Sequence, residues 1–145
     1  MDRYASFPEP IPSILAHTHS YDVIRVDLYD LPELVGWHKG RIVLVGDAAH
    51  ATTPNLGQGG AQAVEDAWAL AHALANQSTV EAGLAAYERA RRAKARRVVT
   101  MSRWMGRLAH LESGWARASR NFVLRALPQR LTMDQLDWLY SISTR

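Results

Sequence analysis

The stretch from Gly46 to Ala61 constrains the fold more than any other part of this sequence. It reads GDAAHATTPNLGQGGA, follows an aliphatic run and precedes a helical pattern. Three glycines within four positions, Gly57, Gly59 and Gly60, let a ligand approach the backbone because no Cβ stands in the way. The first turn of the following helix would offer unpaired N–H donors and positive potential. The stretch therefore predicts a site for a flat or anionic ligand.

Two common phosphate-binding motifs do not fit these glycines. The third glycine of a GxGxxG pattern that begins at Gly57 would fall at Gln62, so the usual dinucleotide fingerprint is absent. No lysine followed by serine or threonine comes after the glycines, which excludes a P-loop. What remains is a strand, a Gly-Asp pair at its end, small alanines and a glycine-rich turn that leads into a helix.

The segments before this turn predict two strands and little other regular structure. Met1–Trp37 contains four prolines and one alternating segment, Val23–Leu28, that predicts a strand. The run Arg41–Gly46 is continuously aliphatic after its arginine and ends in glycine, which predicts a strand buried on both faces of a parallel or mixed sheet. A lone strand cannot satisfy its own backbone hydrogen bonds, so both strands need partners. The expected fold class is α/β and mostly helical.

Helical periodicity dominates the sequence after the glycine-rich turn. The first helix is predicted to run to about Asn76, and its apolar face is expected to be Val64, Ala67, Trp68, Ala71, Leu74 and Ala75. Ser78 or Thr79 can cap a second, long helix. Core packing is the expected role of the apolar stripe on this long helix, which comprises Leu84, Tyr87, Val98, Met101, Met105 and Leu108.

Two further helices are predicted towards the carboxyl terminus, where Gly114 and Pro128 punctuate the sequence. One is Trp115–Leu127, and the other is about Thr132–Ser141. The apolar face of the last helix is expected to hold Leu136, Leu139 and Tyr140.

Composition places the chain among soluble globular proteins. The 145 residues are 48% hydrophobic, which suits one modest core. The absence of cysteine excludes disulfides, thiolate metal sites and thiol nucleophiles, and it favours a cytoplasmic location. No apolar run approaches the roughly 18 residues needed to span a bilayer, and the first residues do not read as a signal peptide. We therefore expect neither membrane insertion nor secretion.

The formal charge of +3 is concentrated between Arg89 and Arg107. Alanines interleave this basic stretch within the predicted long helix, so a solvated helical face is the favoured interpretation and no nucleic-acid partner is predicted. A non-catalytic helical module that binds an acidic partner through this stretch remains the alternative function. A poorly folded remnant is a third possibility, because strands without neighbours leave apolar surface exposed.

The segment from Gly46 to Ala67 resembles the second flavin-binding motif of the FAD-dependent monooxygenases related to p-hydroxybenzoate hydroxylase. It is especially similar to the urate hydroxylase and zeaxanthin epoxidase branches. The resemblance implies that Asp47 accepts hydrogen bonds from the ribityl hydroxyls of FAD, a task that suits a carboxylate. It implies that Pro54 lies along the flavin ring edge. It also implies backbone contacts to the pyrimidine half of the ring from Leu56, Gly57, Gln58, Gly59, Gly60 and Ala61.

The resemblance further implies a carboxyl-terminal part of an enzyme. Residues 1–36 would be the tail of the substrate-domain sheet, 37–76 the second FAD motif with one buried strand of the FAD-binding domain, and 77–145 carboxyl-terminal helices. The family's GxGxxG unit is absent, so an amino-terminal half is an expected partner. In this family NAD(P)H reduces the flavin, which then uses O2 to hydroxylate or epoxidise a small organic substrate. Aromatic acids, phenols, purines and isoprenoids all remain possible substrates.

Several polar residues also have simpler interpretations. Asp47 taken alone could cap a helical turn. His50 is expected to be packed or hydrogen-bonded and not catalytic, and no catalytic residue is assigned. Glu65 and Asp66 are expected to anchor or solvate their helix, because acid/base work would need a facing cleft. His17 and His19 lack further ligands at metal-binding spacing, so no metal site is predicted.

Overall fold

The computed structural model describes residues 4–126 and 137–141, and helices dominate the described part of the chain. A 3₁₀ turn at Ser20–Asp22 follows the first helix, and a second at Pro54–Leu56 precedes the third. Residues 137–140 are also helical. In chain order the elements are α1 Ile11–His17, β1 His38–Lys39, β2 Ile42–Val43, α2 Asp47–His50, α3 Gly59–Ala75, α4 Val80–Ala109 and α5 Gly114–Ala126. The predicted mostly helical α/β class is confirmed.

The packing of α3 against α4 forms the body of the structure. Thr79 caps α4, because its hydroxyl oxygen accepts a hydrogen bond from the Ala82 N–H at 3.1 Å. Gly83 allows the two helices to meet at this end, since a Cβ there would lie 2.9 Å from Cδ2 of Leu74. The two helices predicted after the glycine-rich turn, and the threonine as one of two candidate caps, are confirmed.

The apolar core lies where these helices meet the segment around Trp37. Trp37, Ala49, Ala69, Ala73, Tyr87 and Ala95 form one buried cluster. Of the stripe predicted on the long helix, Leu84, Tyr87 and Val98 are buried. Met105 is 45% exposed, so the carboxyl-terminal end of that stripe is not core in this structure.

The burial of α3 is the reverse of the prediction. Its buried residues are Gln62, Asp66, Ala69 and Ala73. The apolar positions expected in the core point outward, and Val64 is 71% exposed. The polar face can be buried because side chains of α4 pair with it. We call the outward apolar surface the α3 outer face; it comprises Val64, Ala67, Trp68, Ala71 and Ala75, whereas Leu74 packs against Gly83 of α4.

The strand predictions are wrong in detail. Val23–Leu28 forms no strand in the structure, and Ile24 is 85% exposed. The strand predicted at Arg41–Gly46 is the two-residue β2, which pairs antiparallel with β1 in the register His38 to Val43. Ile42 is 74% exposed. Aliphatic runs predict burial, but burial requires neighbouring strands, and β2 has one neighbour in the described part.

The helix predicted at Trp115–Leu127 is confirmed as α5 up to Ala126, and Leu127 lies outside the described residues. The helix predicted at about Thr132–Ser141 is described only from 137, where Leu139 is buried and Tyr140 is 67% exposed. Leu136 lies outside the described residues. None of the described helices is long and apolar enough to cross a bilayer.

Candidate cofactor-binding site

Gly46 forms the sharp corner between β2 and α2. Its φ of 59° and ψ of −136° lie in a region that side-chain-bearing residues rarely adopt. A Cβ on Gly46 would also lie 3.2 Å from the Cβ of Ala63, so α3 passes close to this corner. The local geometry therefore requires glycine for two reasons, and it places Asp47 at the first position of α2.

The side chain of Asp47 is exposed and available to a ligand. Gly46 occupies the N-cap position of α2, so Asp47 does not cap it. Within residues 4–126 and 137–141, no donor makes a hydrogen bond to its carboxylate. A Cβ built on Gly59 would lie 3.9 Å from Oδ1 of Asp47, so the carboxylate lies beside the start of α3. An ionised carboxylate offers only acceptor sites, which suits it to a ligand that carries hydroxyl groups.

The start of α3 is open to a ligand as well. Gly57 adopts the left-handed conformation with φ of 63°, and the helix begins at Gly59 without a side-chain cap. The N–H groups of Gly59, Gly60 and Ala61 find no acceptor in the described part of the chain. Such unpaired donors at a helix start carry positive potential and bind electron-rich groups.

The eight predicted cofactor residues are Asp47 and seven residues of the loop and helix start between Pro54 and Ala61. Asp47 and Gly59 are neighbours in space, and the first turn of α3 presents exposed Gly60 and Ala61. Pro54 and Gly57 are exposed and Leu56 is half-buried on the loop between them. Gln58 is only 5% exposed, so protein encloses nearly the whole residue. The residues present fit a cofactor with a polyhydroxyl chain and an electron-rich ring.

The turn at Pro54–Leu56 is fastened to α4. The Asn55 amide donates a hydrogen bond to the carbonyl oxygen of Ser102 at 3.1 Å, and the Ser102 hydroxyl donates to the carbonyl oxygen of Thr53 at 2.5 Å. Gly106 makes room for this contact, because a Cβ there would lie 2.5 Å from Nδ2 of Asn55. The long helix therefore sets the position of the loop that carries Pro54.

Asp66 is the buried centre of a hydrogen-bond network directly behind the site. Its carboxylate is fully buried. Oδ2 accepts from the Gly46 N–H at 2.9 Å and from Nε2 of His50 at 2.6 Å, and Oδ1 accepts from Nε of Arg91 at 2.7 Å. Burial by itself would raise the pKa of Asp66, but hydrogen bonds from His50 and Arg91 hold that pKa below its ordinary value.

Arg91 extends this network across the helix pair. It is 2% exposed, and its Nη1 donates to Oε2 of Glu65 at 2.6 Å while its Nη2 donates to Oε1 of Gln62 at 2.8 Å. Lys94 adds a contact of 2.8 Å to the same Glu65 oxygen. The expectation that Glu65 and Asp66 anchor their helix is confirmed. His50 is hydrogen-bonded and buried, as predicted. Because an ionised Asp66 can only accept hydrogen bonds, Nε2 of His50 must carry the proton.

A second carboxylate, Glu88, fastens the β hairpin to α4. Its Oε2 accepts from the Trp37 N–H at 3.0 Å and lies 2.6 Å from Nδ1 of His38, while Oε1 accepts from Arg92 at 2.9 Å. Desolvation opposes ionisation, but the Trp37 and His38 hydrogen bonds hold the pKa of Glu88 below its ordinary value. The hairpin, the corner at Gly46 and the loop are thus all tied to one helix.

Sequence reasoning missed most of these supporting residues. The sequence gives Asp66 only a generic anchoring role and places Arg91 on a solvated helical face, and it assigns no role to Glu88 or Ser102. One signal was available: Tyr87, Arg91, Ala95, Val98 and Ser102 recur at steps of three and four residues. An arginine inside such an apolar stripe indicates a buried ion pair with a carboxylate on the facing helix.

The fold and the site together define a class of protein. A Gly-Asp corner after a short strand, a glycine-rich loop and an uncapped helix start suit a cofactor with a polyhydroxyl chain and an electron-rich ring. The family profile described as FAD binding domain matches residues 33–102. With this match over residues 33–102, the chain is similar to the FAD-dependent monooxygenases of the flavoprotein hydroxylase family, and FAD is the cofactor that its residues fit.

Three relatives illustrate the similarity. Aurachin C monooxygenase/isomerase of Stigmatella aurantiaca is 36% identical over 137 residues, which is 94% of this chain and 35% of the relative. The FAD-dependent urate hydroxylase of Mycolicibacterium vanbaalenii is 48% identical over 80 residues, 54% of this chain and 20% of the relative. The crystal structure of Klebsiella pneumoniae HpxO complexed with FAD and uric acid superposes with a TM-score of 0.84 at 26% identity, over 98% of this chain and 37% of that one.

The chain spans about a third of the length of the relatives it matches.

Proposed function

We propose that this chain supplies the carboxyl-terminal part of an FAD-dependent monooxygenase and contributes its contacts to the ribityl chain and isoalloxazine ring. The observation that carries the proposal is the convergence of Asp47 with the uncapped start of α3. Asp47 accepts hydrogen bonds from ribityl hydroxyls, and Pro54 lies along the ring edge. Backbone groups from Leu56 to Ala61 contact the pyrimidine half of the ring.

The direction of α3 suits the electronic demand of the cofactor. Bound flavin supplies the redox and oxygen chemistry, and its reduced form concentrates negative charge on the pyrimidine side. The N–H groups of Gly59, Gly60 and Ala61 are fixed by the fold before any charge develops, so they stabilise that charge with little reorganisation. Asp47 holds the other end of the cofactor and so orients the ring against these donors.

The substrate in this proposal is a small aromatic, purine or isoprenoid-like compound that is hydroxylated or epoxidised, with NAD(P)H as electron donor and O2 as co-substrate. The names of the relatives support this range, since one is a urate hydroxylase and another acts in aurachin chemistry. A cytoplasmic location, which the absence of cysteine favours, is part of the same proposal.

The α3 outer face supports the proposal that a further part of the fold covers this chain. A helix that is apolar on its outward side normally packs against another element. HpxO matches nearly all of this chain with only 37% of its own length. A counterpart of the rest of HpxO is therefore available to pack on the α3 outer face. In this proposal residues 1–36 end the substrate sheet, 37–76 form the second FAD motif, 77–145 form the terminal helices, and an amino-terminal FAD-binding part packs on the α3 outer face.

Reconstitution tests the proposed function. The chain is combined with the amino-terminal part of the Stigmatella aurachin C monooxygenase, chosen because the two share 36% identity over nearly all of this chain. The expected product is a yellow complex that co-elutes with FAD and oxidises NAD(P)H. The amino-terminal part without this chain is the control. Equal FAD retention with and without this chain would contradict the proposal.

The alternative of a basic helical module receives less support from the structure. Five of the eight cationic residues between Arg89 and Arg107 contact carboxylates, namely Arg91, Arg92, Lys94, Arg96 and Arg103. Cations held in this way are less available to an acidic partner. A titration with duplex DNA at several salt concentrations separates the two functions, because phosphate binding weakens steeply with salt.

A further inference from the structure

The ion network behind the cofactor site has a feature that helix anchoring alone does not require. Anchoring α3 to α4 needs only the contacts of Arg91 with Glu65 and Asp66. Asp66 in addition accepts from the backbone N–H of Gly46, which lies 20 residues earlier in the chain. That N–H belongs to the residue immediately before Asp47. One buried carboxylate therefore joins α4 to the corner that aims the ribityl-binding side chain.

The hydrogen bond from the Gly46 N–H to Asp66 fixes the direction in which Asp47 leaves the corner. Gly46 adopts an unusual backbone conformation, and its N–H is held at 2.9 Å from Oδ2 of Asp66. The same oxygen lies 2.6 Å from Nε2 of His50, the last residue of α2. Asp66 thus grips the four-residue helix at both its ends. A helix this short has little stability of its own, so its orientation depends on such external contacts.

The network is charged and buried, so its geometry tolerates little displacement. Asp66 is fully buried and Arg91 is 2% exposed. A buried carboxylate is costly unless every oxygen is paired, so small displacements of Gly46 or His50 leave acceptor capacity unused. We propose that Asp66 is a positioning residue for FAD, which acts on the cofactor through Gly46 and Asp47 and does not touch it. This inference rests on the proposed function.

Glu65 provides a matched control on the same helix. It contacts Arg91 and Lys94 at 2.6 and 2.8 Å, as one more carboxylate of the α3–α4 interface. It makes no hydrogen bond to Gly46 or His50. Loss of charge at Glu65 therefore perturbs helix packing without loosening α2.

A double-mutant cycle on the reconstituted FAD complex tests the inference. The FAD dissociation constant is measured by flavin fluorescence for the unmodified complex, Asp66→Asn, Asp47→Ala and the double variant. Asp66→Asn preserves shape but loses charge and acceptor capacity, so we expect roughly tenfold weaker FAD binding. In the Asp47→Ala background the same change should weaken binding by no more than about threefold, because Asp66 acts through Asp47. Glu65→Gln should leave the constant within about twofold.

The cycle distinguishes positioning from simple stabilisation. A variant that only loosens the fold would lower FAD affinity equally in both backgrounds, so an additive result would overturn the inference. If Asp66→Asn does not fold, Asp66→Glu takes its place, since it keeps the charge facing Arg91 but moves the carboxylate by one methylene. Unchanged FAD affinity in Asp66→Glu would likewise overturn the inference. Unchanged affinity in Asp47→Ala would instead overturn the proposed function.

Discussion

At the scale of single residues, Gly46 combines a positive φ with a close approach to Ala63. Gly40 has the same φ of 59° but would place a Cβ with nothing within 4 Å. Substitution of Gly40 would introduce backbone strain alone, whereas substitution of Gly46 would introduce the strain and a steric conflict with Ala63. A Cβ added at residue 46 would push α3 away from the corner that carries Asp47, whereas a Cβ added at residue 40 would displace nothing.

Gly46→Ala is therefore expected to cost more than Gly40→Ala. Strain at a positive φ accounts for about 1–3 kcal/mol in either variant. The conflict with Ala63 adds to this figure at Gly46 and displaces the start of α3. Thermal unfolding of the reconstituted complex measures the difference. Equal losses of stability in the two variants would show that the approach of Ala63 places no demand on residue 46.

At the scale of elements, α4 sets the position of the loop that carries Pro54. Gly106 lies against Asn55, whereas Gly114 at the start of α5 would place a Cβ in open space. Gly106→Ala should push Asn55 off the helix and move Pro54, which weakens FAD binding by roughly tenfold. Gly114→Ala is the matched control and should leave the constant unchanged. Fluorescence titration with FAD measures both, and equal constants would refute the role given to α4.

The features that the sequence predicts correctly are those that depend on local backbone geometry and periodicity. Asp47 and the glycines at 57, 59 and 60 were recognisable because they depend on local backbone geometry. The helices were recognisable because periodicity is local too. The buried face of α3 was not, since hydrophobicity suggested Val64 and Trp68 while pairing with Arg91 on another helix decides that Asp66 lies inside.

The strands failed for a related physical reason. Strand formation depends on partners that are distant in sequence, and an aliphatic run does not specify them. Within the described residues β2 has only β1 beside it, so Ile42 remains exposed. The family resemblance supplies the role proposed for each site residue, which residue spacing alone does not.

At the scale of the whole molecule, the proposal places the contact with an amino-terminal part on the α3 outer face. Trp68 is 43% exposed on this face, and Trp104 is 59% exposed on α4 outside it. Trp68→Ser should weaken association with the amino-terminal part by about tenfold or more, because it removes a large apolar contact. Trp104→Ser is the control and should change association less. Sedimentation or calorimetry measures the association constant of each variant. A larger loss of association in Trp104→Ser than in Trp68→Ser would place the interface on α4.

The buried carboxylates predict how the stability of the molecule depends on pH. The folded-state pKa values of Asp66 and Glu88 lie below their ordinary values of 3.8 and 4.5. Their contribution to stability is therefore complete above about pH 5 and is lost as the pH falls through the folded pKa values. Urea unfolding of the chain at pH 7 and pH 3 should show a large loss that Asp66→Asn reduces. A loss of equal size in Asp66→Asn would show that Asp66 titrates normally.

The central claim is that Asp47 and the start of α3 hold one FAD molecule between them. The FAD dissociation constant of the reconstituted complex with Asp47→Ala tests this claim most directly, with Glu112→Ala as a control on an exposed acid between α4 and α5. The account predicts that Asp47→Ala raises the constant by roughly tenfold or more, since charge-assisted hydrogen bonds to ribityl hydroxyls are lost, while Glu112→Ala leaves it unchanged. An Asp47→Ala complex that binds FAD as tightly as the unmodified one would contradict the account.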